Sequence, residues 1–128
     1  DKVDWNDRRE MFFIASMMFQ RGEFAASVPL FARELERNPY YMDGYANMGS
    51  ALGAAGDVAG AEKALRRASE LNPAYAEAYA NLGVALLQQK RNIEAAASFQ
   101  QALDLDPGIQ MAQRGLEQAL GGARKGNR

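Results

Sequence analysis

Apolar residues recur along this chain at helical spacing. Over 76–89, Tyr79, Leu82 and Leu86 fall at i, i+3 and i+7, which is one face of a helix. Lys90, Arg91 and Asn92 break the pattern. It resumes over 93–105, with Ala95, Phe99, Ala102 and Leu103 on one face, and Asp106-Pro107-Gly108 ends it. Proline cannot continue a helix, and it disfavours helical dihedral angles in the residue before it. The same plan upstream predicts helices over 43–55 and 59–71, turned at Gly56-Asp57 and closed by Asn72-Pro73. Before them it predicts 8–20 and 24–37, turned at Arg21-Gly22-Glu23 and closed by Asn38-Pro39. Asp7, with Glu10 three residues on, has the form of a capping box, so the first helix should begin near Arg8.

The plan is periodic. Pro39, Pro73 and Pro107 fall at one constant interval. The segment YANMGSAL (Tyr45 to Leu52) returns after the same interval as YANLGVAL (Tyr79 to Leu86), with six of eight positions identical. Two independent features with one period identify a repeat.

Composition narrows the chemistry. The 128 residues amount to about one domain. Alanine occurs 24 times, against four valines, three isoleucines and no threonine, which suits closely packed helices and suits strands badly. With no cysteine and no histidine, disulfides, zinc fingers, haem ligation and thiol or Ser-His-Asp catalysis are excluded. No pair of carboxylates is placed for acid–base work, so neither an enzyme activity nor a metal or other cofactor is expected. Fifteen basic and sixteen acidic residues leave a charge of −1, without the basic footprint of nucleic-acid binding. The longest apolar run, Met11 to Phe19, is nine residues and is broken by Ser16, too short for a membrane span. No secretory leader is recognisable. The chain opens on Asp1 rather than methionine and reads as a processed form or an excised piece. The compartment stays open, with the cytoplasm as the default.

A helix–turn–helix unit of this length resembles the tetratricopeptide repeat. The third unit supplies every signature position: Tyr79, Leu82, Gly83, Leu86, Ala95, Phe99, Ala102 and Pro107. The second departs only at Met48 and Leu65, beside Tyr45, Gly49, Leu52, Ala61, Ala68 and Pro73. The first is degenerate, with Met11, Ile14, Ala15, Met18, Ser27, Phe31, Glu34 and Pro39. Glu34 replaces a small buried alanine, so either the packing there differs or the carboxylate reaches solvent. Pro29 lies inside the second helix of that unit and is tolerable only near its first turn. The resemblance covers about four-fifths of the chain and implies an all-α solenoid of about seven helices coiled into a right-handed superhelix.

The expected organisation is a lead-in over 1–7, repeats over 8–41, 42–75 and 76–109, a capping helix over 110–120 and a disordered basic tail over 121–128. The capping helix carries Ala112, Leu116 and Leu120 on one stripe and polar residues elsewhere, as the end of a stack requires, and Gly121-Gly122 should stop it.

The resemblance also implies which residues line the concave face, since the first helix of each pair faces inward. These are Arg9, Phe12, Phe13, Ser16, Phe19 and Gln20 from the first repeat. The second contributes Asp43, Ala46, Asn47, Ser50, Gly53 and Ala54. The third contributes Glu77, Ala80, Asn81, Val84, Leu87 and Gln88. Asn47 and Asn81 occupy equivalent positions, and an amide both donates and accepts, so a ladder of them can hold the backbone of an extended peptide. The alternative is that each bonds a neighbouring helix. Phe12, Phe13 and Phe19 offer an aromatic seat for an apolar anchor, or belong to the core. Family members that grip the C-terminal carboxylate of Hsp70 and Hsp90 chaperones use Lys, Asn and Arg where this chain has Phe12, Ser16, Asn47, Glu77 and Asn81. Only Asn47 fits, so no such carboxylate clamp is expected.

The run MFFIASMMF is apolar around nearly its whole circumference, which marks a buried helix. At the end of a stack it needs a cover: chain preceding Asp1, a second copy meeting Phe13, Ile14 and Met17 in a homodimer, or a fold-back of 1–7 with Val3 and Trp5. Arg66-Arg67 and the Glu62–Arg66 pair read as a solvated face. The reading is a protein–protein interaction module that presents its groove to a peptide or protein partner. The alternatives are a self-assembling scaffold, or an accessory domain of a larger enzyme whose catalytic part precedes residue 1.

Overall fold

The computed structural model describes residues 8–125, with side chains from Met11 onward. Seven α-helices make up the described residues: α1 (Arg8–Gln20), α2 (Phe24–Arg37), α3 (Met42–Ala54), α4 (Val58–Leu71), α5 (Ala76–Gln88), α6 (Asn92–Leu105) and α7 (Gln110–Arg124). The first six match the helices expected from the sequence to within a residue at each end. Asp7 and the side chain of Glu10, which would form the capping box, lie outside the described residues.

Two kinds of corner alternate, and each has a local cause. Within a pair the corner turns on a left-handed residue at Gly22 (φ 81°), Gly56 (φ 96°) and Lys90 (φ 63°). The amides of Glu23, Asp57 and Arg91 then donate back to the carbonyls of Met18, Leu52 and Leu86 at 2.8, 2.9 and 3.0 Å. This is the Schellman closure, which satisfies carbonyls that a helix end leaves open. Between pairs the corner is Asx-Pro. Asn38, Asn72 and Asp106 are extended, as a residue before proline must be. Their side-chain oxygens accept from the amides of Tyr40, Ala74 and Gly108, two residues on.

Each helix packs on its chain neighbours, and in addition α1 touches α3, α3 touches α5 and α5 touches α7. The backbones of the even helices stay farther apart among the described residues, and α4 meets α6 through the long side chains of Arg66 and Glu94. A stack whose odd helices meet while its even helices splay apart is curved, with the odd helices on the inside. Within a pair, close approach depends on a missing side chain. A Cβ on Gly49 would lie 2.7 Å from Leu65 Cγ, and one on Gly83 would lie 2.7 Å from two ring carbons of Phe99. Ala15 and Phe31, both fully buried, make the corresponding contact in the first pair. The largest core cluster runs from α4 through the third pair to α7, around Leu65, Tyr79, Leu82, Leu86 and Phe99.

Three local expectations are corrected. α7 does not stop at Gly121-Gly122 but runs through both glycines to Arg124, because Gly122 lets the helix close over the side chain of Asn92. Residues 121–124 are therefore helical rather than part of a disordered tail, and 126–128 lie outside the described residues. Asn92 does not belong to the turn; it opens α6 and is 4% exposed beneath that helix. Pro29 sits beyond the first turn of α2. The carbonyl it leaves without an amide, that of Ala25, belongs to an exposed residue and can reach water. Of the two alternatives for Glu34 the structure takes the first: the side chain is 3% exposed, so the packing of the first pair differs from that around its equivalents Ala68 and Ala102.

Candidate functional site: the concave face

The inner face is built by α1, α3, α5 and α7. Asn47 and Asn81 are half-buried on α3 and α5. Neither bonds a neighbouring helix: among the described residues both amides are unengaged. Ser50, one turn beyond Asn47, donates to the carbonyl of Ala46 at 3.2 Å. Between α3 and α5 lies an open depression of 230 Å³. Gly49, Ser50, Gly53 and Ala54 form one wall, Asn81, Val84 and Gln88 the other, and Ala61 and Leu65 the floor. The small residues of α3 create it, since larger side chains there would fill the space.

The three phenylalanines of α1 have different surroundings. Phe12 is half-buried, 6.0 Å edge-on to Phe31 and 5.6 Å from Tyr41 between ring centroids. Phe19 packs at 5.1 Å against Phe24. Phe13 is 63% exposed, and Met17, one turn on, is 36% exposed. Ile14 and Ser16 are half-buried, while Met11 and Ala15 supply the inward face of the helix. Helix α1 is therefore apolar all round without being buried all round. The side chain of Arg9 lies outside the described residues, as do Val3 and Trp5.

Charge is distributed unevenly. Burial raises the pKa of the Tyr75 phenol, and the carboxylates of Asp43 and Glu77 raise it further. These two acids therefore flank one ring at the N-terminal edge of α3 and α5, where helix dipoles favour negative charge. At the α5–α6 corner, Arg91 bonds Glu62 and Glu94, each at 2.7 Å. Arg66 reaches the same two acids, at 2.9 and 3.7 Å, and Gln89 donates to Glu62 at 3.0 Å. The Glu62–Arg66 pair thus belongs to a network joining α4 to the next repeat, which sequence spacing alone did not reveal. Burial pushes Glu62 up, but hydrogen bonds from Gln89, Arg66 and Arg91 outweigh it and hold the carboxyl below the usual range.

Sequence reasoning assigned α7 to solvent. The structure places it as a fourth inward-facing helix, with Gln110, Met111, Arg114 and Gln118 across from Val84, Leu87 and Gln88. The period carried the signal: Met111, Arg114 and Gln118 stand one full period after Glu77, Ala80 and Val84. Among the described residues no cluster of three metal-ligating side chains occurs, and no helix is long and apolar enough to cross a membrane.

A curved stack of helix pairs with an open, amide-lined inner face defines a helical-repeat solenoid. The family profile described as tetratricopeptide repeat matches residues 46–108, and the chain is a tetratricopeptide repeat protein. No curated protein matches its sequence. Solved structures share the fold. The first tetratricopeptide domain of Spaghetti (RPAP3), bound to the HSP90 peptide SRMEEVD, superposes with a TM-score of 0.89 at 22% identity, covering 95% of this chain and 97% of that one. The crystal structure of MamA gives 0.87 at 21% identity, covering 92% of this chain and 64% of that one. The second such domain of human RPAP3, in complex with the HSP70 peptide SGPTIEEVD, gives 0.83 at 23% identity, covering 86% and 92%.

Proposed function

We propose that this chain is a non-catalytic interaction module whose concave face binds an extended peptide or partner segment. Asn47 and Asn81 would hold the ligand backbone. The carrying observation is that both amides are unengaged among the described residues, sit one period apart on adjacent inner helices, and Asn81 lines the depression between those helices. An amide pair that meets no helix has its donors and acceptors available to another chain. Ser50, Val84, Leu87 and Gln88 would complete the wall, with Phe12, Phe13, Ser16 and Phe19 at the far end. Phe12, Ser16, Glu77 and Asn81 lack the cations that a grip on a C-terminal carboxylate requires, so binding through a chain end is not part of this reading. The test is selection from a displayed random-peptide library, followed by fluorescence anisotropy on the selected peptides. The double variant Asn47→Ala/Asn81→Ala should lose them while keeping its helical circular dichroism. Unchanged affinity would refute the groove.

A second reading rests on Phe13 and Met17, whose exposure leaves an apolar strip on the terminal helix. With Ile14 between them, they would pair two copies into a homodimer or seed a scaffold.

A further inference from the structure

We infer that the channel between α5 and α7 selects an acidic ligand segment: a large apolar side chain seated between the helices, with side-chain carboxylates beside it. This inference rests on the groove reading and specifies its ligand.

The channel is a larger opening than the α3–α5 depression, at 560 Å³, and shares Val84 and Gln88 with it. Its apolar surface comes from Val84, Leu87 and Met111. The ring of Phe99 lies beneath this surface, fully buried under the backbone of Gly115, where a Cβ would overlap it. The rest of the lining consists of three glutamine amides and the guanidinium of Arg114. Beyond it, a third depression of 370 Å³ shares Leu87 and Gln118, and adds Lys90 and Lys125. Neither lining contains an acid.

The three cations are exposed, and none makes an ion pair among the described residues. This contrasts with Arg66 and Arg91, which are each paired twice. Unpaired cations beside an apolar floor favour an anionic group next to an apolar one, and a charge-assisted hydrogen bond to guanidinium is among the stronger contacts available. The acids of the inner face, Asp43 and Glu77, stand at the other edge, around Tyr75. At the α7 position equivalent to Glu77 stands Met111, and at the one equivalent to Ala80 stands Arg114. The face therefore changes sign along its length, which gives a bound chain a direction. Three inner helices at the usual spacing span roughly 20 Å, about six residues of extended chain. That length carries both the backbone held by the asparagines and the acidic segment.

The test uses fluorescein-labelled peptides that are N-acetylated and C-terminally amidated, so that no chain-end carboxylate takes part. One carries a single leucine among aspartates and glutamates. In the second, lysines replace the acids. In the third, glycine replaces the leucine. The acidic leucine peptide should bind, more weakly as salt is raised. Arg114→Gln should weaken it roughly tenfold without moving the thermal midpoint. The lysine and glycine peptides should bind at least tenfold less tightly. Equal binding of the lysine peptide, or no effect of Arg114→Gln, would overturn the inference. If library-selected peptides of other composition bind and depend on Asn47 and Asn81 while the acidic probe does not, the inference falls and the groove stands. If no peptide of any composition binds, both fall.

Discussion

The ring of Phe99 lies against the backbone of Gly83, so close that a Cβ on the glycine would stand 2.7 Å from ring carbons Cδ1 and Cε1. Gly115 meets the same ring from α7, so the ring is held between two glycines of the inner helices and has no direction in which to yield. Gly83→Ala should therefore destabilise the fold. Overpacking costs about 1–3 kcal/mol, against about 1 kcal/mol gained from alanine's helix propensity. Gly121→Ala is the control. It is also helical, but a Cβ there meets nothing within 4 Å, so its urea midpoint should rise. Opposite shifts for the two variants in equilibrium urea unfolding would establish the contact.

Lys90 takes the left-handed conformation that Gly22 and Gly56 take at the equivalent corners. A side chain there costs about 1–2 kcal/mol relative to glycine. Lys90→Gly should raise the thermal midpoint, and Gly56→Ala should lower it. A lower midpoint for Lys90→Gly would mean that the lysine side chain does more at this corner than its conformation costs.

Glu62 is held below the ordinary carboxylate range by Gln89, Arg66 and Arg91, against the opposing effect of burial. A carboxyl whose pKa is lower in the folded state stabilises that state above its unfolded value, about 4.3. The stabilisation is lost as pH falls through the lower folded value. Wild type should therefore exceed Glu62→Gln in stability at pH 7, and the gap should close with acidification below about pH 4.3. Urea titrations at pH 7 and pH 3 read this directly; a gap that persists at pH 3 would assign the effect to packing rather than charge.

Phe13 and Met17 make the terminal helix the place to look for self-association. Light scattering over a wide concentration range should show a concentration-dependent dimer that Phe13→Glu dissolves. A monomer at every concentration would dispose of the scaffold reading and leave peptide capture. Because Phe13 is exposed, the substitution should leave the folded stability within about 0.5 kcal/mol of wild type.

Much of this molecule was legible from residue order alone. The proline period, the Gly49 and Gly83 positions and the aliphatic or aromatic residues 16 positions after them gave six helices, their corners and the pairing of each helix with the next. Those features are local or repeat with the period, and a repeat needs only its neighbour to fold. The same register puts Asn81 on α5, where it lines the depression beside α3.

What remained illegible depends on contacts between residues far apart in the chain. Glu34 sits at a position where the period calls for alanine, and only the packing of the first pair decides that it is buried. Gly121-Gly122 reads as a stop, yet α7 passes through because Asn92, almost a full repeat earlier, lies under Gly122. Glu62 looks like a solvated partner of Arg66, until folding brings Arg91 and Gln89 to it. Arg114 belongs to a helix that reads as a polar cap, and becomes part of the inner face only when Gly115 closes on Phe99. Sequence by itself determined the repeat and its helix pairs, because these are set by spacing within about one repeat length. Tertiary structure decided the curvature, the end of the last helix and the charge of the channel, because these depend on which repeats are pressed together.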